Sequence, residues 1–262
     1  MNIGEILQLR KYNPETIPKE QHIAWKIQDK CIGSLGNYCC MLGLPKVGKS
    51  TFITALIGSA VLPNGIDNFG MRLFPDKDRN KIAFFDTESS LYDFHRVIER
   101  INFFSGTGKL HPNIDAFNMR EDSPKKIRDM IVEYLKENAD CSIIVIDGLL
   151  DLCLNYNDEV ESRLLVNYFK KITKEYNILM IGVLHLSKSN SESIGHLGSN
   201  TDRWAQSSLL VEKHKETKQI VLKPKFLRST DEFDPIALMN FNGNWSQVPY
   251  DQSVEIQRRL KK

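Results

Sequence analysis

No stretch of the chain comes near the roughly 18 to 20 consecutive apolar residues that a membrane-spanning helix needs. The opening residues, MNIGEILQLRKYNPE, hold no apolar signal core. A cytoplasmic protein that makes no membrane contact is therefore expected. An excess of either charge is also missing: 35 Lys and Arg oppose 33 Asp and Glu, leaving +2 on 262 residues. That balance does not name a polyanion as partner, although positive groups could still be gathered on one surface. Cysteine is sparse and unpaired in pattern. Cys31, Cys39, Cys40, Cys141 and Cys153 are odd in number, and no C-x-x-C occurs, so they read as reduced thiols rather than disulfides or zinc ligands. Internal repeats and low-complexity tracts are absent. With 41% hydrophobic and 26% charged residues, collagen-like, coiled-coil and wholly disordered classes fall away.

What remains is an alternation of apolar runs and amphipathic segments. Residues 1–36 read as a polar lead-in with one amphipathic helix near residues 20–31, acting as a linker. Residues 37–248 read as one domain, and residues 249–262 as a polar tail that ends basic, IQRRLKK. Within the domain, strands are expected at 37–42, 81–86, 114–118, 141–147 and 177–184. Helices are expected at 49–58 and around three apolar stripes: Leu91, Phe94, Val97, Ile98 and Ile101; Ile127, Met130, Ile131, Tyr134 and Leu135; and Leu164, Leu165, Tyr168, Phe169 and Ile172. Residues 61–80, rich in Gly, Pro, Asn and Asp, read as a loop. Strands apolar along their whole length, separated by amphipathic helices, argue for an α/β fold: a mostly parallel twisted sheet with helices on both faces. Short strand-like pieces at 208–212, 219–223 and 236–241 suggest antiparallel hairpins closing one edge.

The strongest motif is Gly43-Leu44-Pro45-Lys46-Val47-Gly48-Lys49-Ser50, which matches G-x-x-x-x-G-K-[ST] between an expected strand and an expected helix. The glycines let the backbone curl so that its amides point at phosphates, and the helix N-terminus adds positive potential. Gly43, Pro45, Lys46, Val47, Gly48, Lys49, Ser50 and Thr51 are thus the candidate nucleotide-binding residues. Lys49 would neutralise the β and γ phosphates, and the Ser50 hydroxyl would ligate Mg2+. Asp147, closing the apolar run SIIVID, fits the second metal carboxylate. Gly148 follows it where many ATPases carry a glutamate, so a general base must come from elsewhere. Glu88, just past the strand ending at Asp86, is the favoured base, with Asp86 as rival. His185, with Lys188, closes another strand at the same carboxyl edge, where it could sense the γ-phosphate. An N-K-x-D guanine-reading motif is absent, which argues against a GTPase; LSGGQ is absent, which argues against a transporter ATPase.

In this order the elements resemble the RecA-like P-loop ATPases, and most closely the RepA-type hexameric helicases of plasmids and mobile elements. The resemblance is carried by the phosphate loop, by Asp86-Thr87-Glu88, by the strand closing at Asp147, and by the segment from His185 through Lys188 and Gly198-Ser199-Asn200 to Asp202-Arg203-Trp204. It spans roughly residues 30–245. It implies ATP and Mg2+ as cofactors and a homo-oligomeric, six-fold ring, acting on single-stranded DNA with replication or mobilisation partners. It further implies a basic finger reaching a neighbour's γ-phosphate. Lys225 and Arg228, in KPKFLR between two late strands, resemble such a pair, with Arg203 a second candidate. Two loops, at 155–161 and 187–201, would face DNA. The first is acidic, with Asp158, Glu159 and Glu161, which departs from what phosphate contact needs. That acidity also leaves room for an ATP-dependent switch or loader that recruits a partner protein without unwinding DNA.

Overall fold

The computed structural model describes residues 2–15, 20–186 and 195–250. Helix α1 (Ile3–Arg10) opens the chain, followed by strands β1 (Ile23–Ile27), β2 (Lys30–Ser34) and β3 (Tyr38–Gly43) and helix α2 (Lys49–Ser59). Then come β4 (Met71–Leu73), β5 (Lys81–Asp86), α3 (Leu91–Ser105), β6 (Ile114–Asn118), α4 (Pro124–Glu137) and β7 (Cys141–Asp147). A 3-10 turn (Leu149–Leu152) leads to α5 (Glu159–Glu175), β8 (Leu179–His185) and α6 (Gly195–Trp204). Strands β9 (Ser207–Lys213), β10 (Ile220–Leu227), β11 (Ile236–Phe241) and β12 (Asn244–Val248) complete it.

Nine strands form one sheet in the order β12-β11-β10-β9-β3-β8-β7-β5-β6. From β9 to β6 every neighbouring pair is parallel, while β9 to β12 run antiparallel to one another. The central strands are apolar without interruption because both their faces are covered. Alternate residues divide between two cores. Cys39 and Met41 of β3, Val145 of β7 and Ile181 of β8 pack with Phe52 and Leu56 of α2 and Ile101 of α3. Cys40 and Leu42, Ile144 and Ile146, and Met180 pack with Ile131 of α4 and Phe169 of α5. That division is the period of two of a pleated strand made visible. Helices therefore lie on both faces, as expected.

Four local expectations are corrected. Residues 20–31 hold no helix. Ile23–Ile27 and Lys30–Ser34 are an antiparallel hairpin, which β4 joins to make a small three-stranded sheet. Trp25, Ile27 and Ile32 are fully buried in the first core. Spacing alone misled here, because Ile23, Ala24, Ile27 and Cys31 also fit one helix face; the pairing partner, Met71–Leu73, lies inside what reads as a loop. That loop is held by Arg72, whose guanidinium donates to the carbonyls of Leu62 (2.8 Å), Pro63 (2.7 Å) and Ile66 (2.5 Å). Lys225 is not in a turn between strands: it sits within β10, and Arg228 just follows that strand. Strand β12 is unforeseen, although Asn242 and Gly243, both at positive φ, form the two-residue Asn-Gly hairpin loop that announces it. Finally, the second expected DNA loop is helical from Gly195 onward; its residues 187–194, with Lys188, lie outside the described residues, as do residues 251–262 of the tail.

Candidate functional site

The register of the parallel sheet assembles the site. Gly43 lies beside His185 across β3 and β8, and Asp86 lies beside Asp147 across β5 and β7. Phosphate loop, histidine and carboxylates thus share the carboxyl edge of the sheet, where ligands of open α/β sheets bind.

The loop between β3 and α2 carries two left-handed residues, Lys46 at φ 63° and Gly48 at φ 99°. Gly48 is required for a second reason: a Cβ there would lie 2.7 Å from the side chain of Ile220. The N-terminus of α2 has no side-chain cap, whereas α1, α3 and α5 are capped by Asn2, Ser90 and Asp158. Its first amides are consequently available to an anion. Pro45 and Lys46 are exposed, Val47 and Thr51 buried, and Ser50 half-buried; among the described residues nothing hydrogen-bonds the Ser50 hydroxyl.

Lys49 is buried, and its ammonium donates to the carbonyls of Gly43 and Leu44 and contacts His185 Nδ1, each at 2.9 Å. An ammonium has no acceptor, so Nδ1 must accept and the ring proton is assigned to Nε2. Nε2 then donates to Glu88, whose carboxylate oxygens lie at 3.0 and 3.1 Å. A continuous chain, Lys49–His185–Glu88, links the three residues drawn from separate parts of the sequence. Burial lowers the Lys49 pKa to about 8, against the opposing pull of Asp147 and Glu88. The hydrogen bond from His185 holds the Glu88 carboxyl below its usual range.

The carboxylates are undersupplied with donors. Asp147 has no hydrogen-bond donor within reach among the described residues. Burial first, then Glu88 and Asp86, push its pKa up to about 7. Asp86 is 1% exposed. Its Oδ1 accepts the amides of Glu88 (3.0 Å) and Ser89 (2.8 Å), while its Oδ2 is buried without a partner. Asp86, the rival base, is therefore spent on shaping the turn that presents Glu88. An orphaned buried carboxylate oxygen beside a carboxylate held against ionisation fits a cation. No three His, Cys, Asp or Glu side chains among the described residues form a metal cage by themselves. Magnesium needs none, since it takes one or two protein oxygens and completes its shell with water and phosphate.

Gly148 explains itself. At φ 107°, a Cβ would lie 2.0 Å from Thr87 Oγ1 and 2.9 Å from Glu88 Cγ. The space that a side chain after Asp147 would occupy belongs to Glu88 and its neighbour. Thr87 in turn is pinned by contacts with the carbonyls of Asp147 (3.0 Å) and Gly148 (3.1 Å) and with Asp151 Oδ2 (2.8 Å). Glu88, Thr87, Asp122, Asp151, Arg120 and Cys153 line a cavity of about 450 Å³, so solvent reaches the Glu88 side of the site. Asp151 and the half-buried Arg100, which lies within electrostatic range of Asp147, escaped the sequence reading, because each sits in an ordinary helix or turn pattern that marks nothing; Thr87 was named there without a role.

The finger candidates lie elsewhere. Leu227 pairs with Ser207, which pairs with Cys39 near the start of β3. Arg228 is accordingly at the amino edge of the sheet, opposite the phosphate loop of its own chain. Lys225 forms an ion pair with Asp202 of α6, and Arg228 donates to the carbonyls of Arg203 and Ala205 (2.9 Å) at the end of that helix. The acidic segment is also accounted for: Asp158 caps α5 at the amide of Glu161 (2.7 Å), and Glu161 accepts the amides of Leu154 (2.6 Å) and Asn155 (2.8 Å). No protein-family model matches this chain, and no curated protein matches it either.

Proposed function

We propose that this chain is a magnesium-dependent ATPase of the RecA-like P-loop class, acting on DNA as a homo-oligomeric ring in the manner of RepA-type helicases. The observation that carries the hydrolytic part is the Lys49–His185–Glu88 chain, which joins a phosphate-type lysine to a solvent-accessible carboxylate through one histidine. The uncapped start of α2 and the curled loop would hold the phosphates of ATP. Ser50 and Asp147 would hold Mg2+, which when bound supplies neutralisation of the phosphate charge. Glu88, kept ionised by His185, orients and deprotonates the attacking water.

His185 supports a sensing role. Lys49 gives its donors to two loop carbonyls and to His185. A γ-phosphate would draw the ammonium away and leave His185 Nδ1 free to accept from another donor, and Glu88 would feel the change through Nε2. The ring is supported by the place of the finger pair. Lys225 and Arg228 sit at the far edge of their own sheet, so any service at a phosphate loop would be to a neighbouring copy. For the loader reading, the near-neutral charge remains a support, while Asp158 and Glu161 of the acidic loop also cap the start of α5.

Lys49→Ala should abolish turnover. Glu88→Gln should bind ATP with near-normal affinity while hydrolysing it roughly 100- to 10,000-fold more slowly. Nucleotide-binding titrations and steady-state phosphate release measure both. Wild-type turnover by Glu88→Gln would sink the base assignment, and failure of the unaltered protein to hydrolyse ATP would sink the ATPase reading itself.

A further inference from the structure

The outer face of α5 carries a stripe of cations. Arg163, Lys170 and Lys174, with Asn167 between them, recur at spacings of four, three and four, which places them on one side of a helix. Arg163, Asn167 and Lys174 are exposed and Lys170 half-buried. The first and last are eleven residue steps apart, about 16 Å of helix. Helix α6 packs along this side of α5 and adds exposed Arg203 and Trp204. Together Arg163, Asn167, Lys170, Asn200, Arg203 and Trp204 line a groove of about 340 Å³.

One cation of the stripe is met by an acid of its own helix, Glu159 pairing with Arg163 at 2.6 Å. Asp202 is turned to Lys225, and Glu175 stands beyond the last cation. Arg228 is close enough that it joins burial in holding Lys170 below its usual range. Lys170 Nζ stands 3.4 Å from the centroid of the Trp204 ring. The indole is thus held in place by a cation while 51% of the residue remains exposed. By contrast, Trp25 is fully buried. On a chain of net charge +2, such a gathering of positive charge around an open aromatic would suit a ligand with both phosphates and flat rings.

We infer that the groove between α5 and α6 binds single-stranded nucleic acid, with Arg163, Lys170, Lys174 and Arg203 along the phosphates and Trp204 as a stacking platform. A duplex offers phosphates but keeps its base faces covered. An acidic peptide offers charge but nothing that stacks. Unstacked bases on a charged backbone use both features of the groove. This surface deepens the DNA-acting reading above and rests on it, but the contact requires neither ATP nor an intact phosphate loop.

The test is fluorescence anisotropy of a labelled oligothymidylate titrated with the full-length chain, without nucleotide, at low and moderate salt. Binding should weaken steeply with salt. Lys170→Glu with Arg203→Glu should weaken it at least about tenfold, and Trp204→Ala about 5- to 100-fold, while Trp204→Phe keeps most of the affinity. Lys174→Glu, a change at an exposed position, should weaken binding even if the double variant folds poorly. Lys49→Ala should bind the oligonucleotide normally, so loss of the ATPase reading and loss of this one are separable. Unchanged affinity in Lys174→Glu and Trp204→Ala overturns the proposal. So does competition by polyglutamate as effective as by unlabelled oligothymidylate, which would mark the groove as a site for acidic protein. A duplex bound more tightly than the single strand would also overturn it.

Discussion

Asp147 and Lys49 are two groups of the candidate site whose ionisation the fold resists, and in opposite senses. Burial favours the neutral form of each, raising the carboxyl to about 7 and lowering the ammonium to about 8. A productive encounter with magnesium and ATP needs Asp147 ionised and Lys49 protonated. In the free protein, kcat/KM should therefore rise with pH through about 7 and fall through about 8, giving a narrow bell. Initial rates at subsaturating ATP across the neutral range check this; a plateau extending well past either limb would contradict it. The same burial acts on stability. The Asp147 carboxyl goes from about 3.8 in the unfolded chain to about 7 in the fold, so its ionised form costs folding energy. That cost is absent below about pH 4, grows between the two values and is complete above about 7. Asp147→Asn should thus stabilise the protein at pH 8 by on the order of 1–4 kcal/mol and leave it unchanged near pH 4. Thermal melts at the two pH values read this directly. The variant should be the more stable protein and the poorer enzyme, since the same unsatisfied charge that strains the fold is the one that would meet a cation. Lys49 and Asp147 were legible from spacing and from position at a strand end. The spent state of Asp86 was not, because only the folded turn shows that its Oδ1 is taken and its Oδ2 orphaned.

Among helices, the termini carry the information. Asn2, Ser90 and Asp158 cap α1, α3 and α5; α2 and α4 both start without a side-chain cap, but α4 opens on Pro124, which removes one first-turn donor, whereas at α2 the amides face the loop. Asp158 and Glu161 illustrate the first case. Asp158→Ala should cost about 0.5–2 kcal/mol by loss of the cap, seen as a lowered urea midpoint at unchanged slope, with nucleotide binding unaffected. A loss of nucleotide binding beyond what the destabilisation explains would reassign the segment to the site. The acidity of this segment was legible as composition; its capping of α5 was not, because capping and repulsion of phosphate look alike in one dimension. The hairpin of β1 and β2 is a similar case. Its apolar spacing suits a helix nearly as well as a pleat, and the choice is made by β4, some forty residues away, offering its backbone. Strand β12 was a plain omission, since Asn242-Gly243 is itself a hairpin signal.

Taken as one body, the molecule separates its two candidate functions by the width of a sheet. The nucleotide-type site lies at the carboxyl edge, and the groove of α5 and α6, with Lys225 and Arg228 beside it, lies toward the amino edge. A finger acting at a phosphate loop must then belong to another copy. If so, ATPase activity per chain should increase with protein concentration, and Lys49→Ala chains mixed into the unaltered protein should inhibit by more than simple dilution. Specific activity independent of concentration, with a linear dilution curve, would make each chain self-sufficient. The apolar periods, the phosphate-loop spacing and the carboxylates ending apolar runs are local properties, set by neighbours in the chain, and these sufficed for the parallel sheet, the helices on both faces and the residues of the loop. Which groups touch depends on register between strands that are distant in sequence. The pairing of Gly43 with His185 and of Asp86 with Asp147 joins lysine, histidine and glutamate into one hydrogen-bonded chain, and the packing of α6 on α5 sets Trp204 beneath Lys170. Such contacts arise only when the shared core aligns the elements, because burial fixes each strand's register and each helix's face.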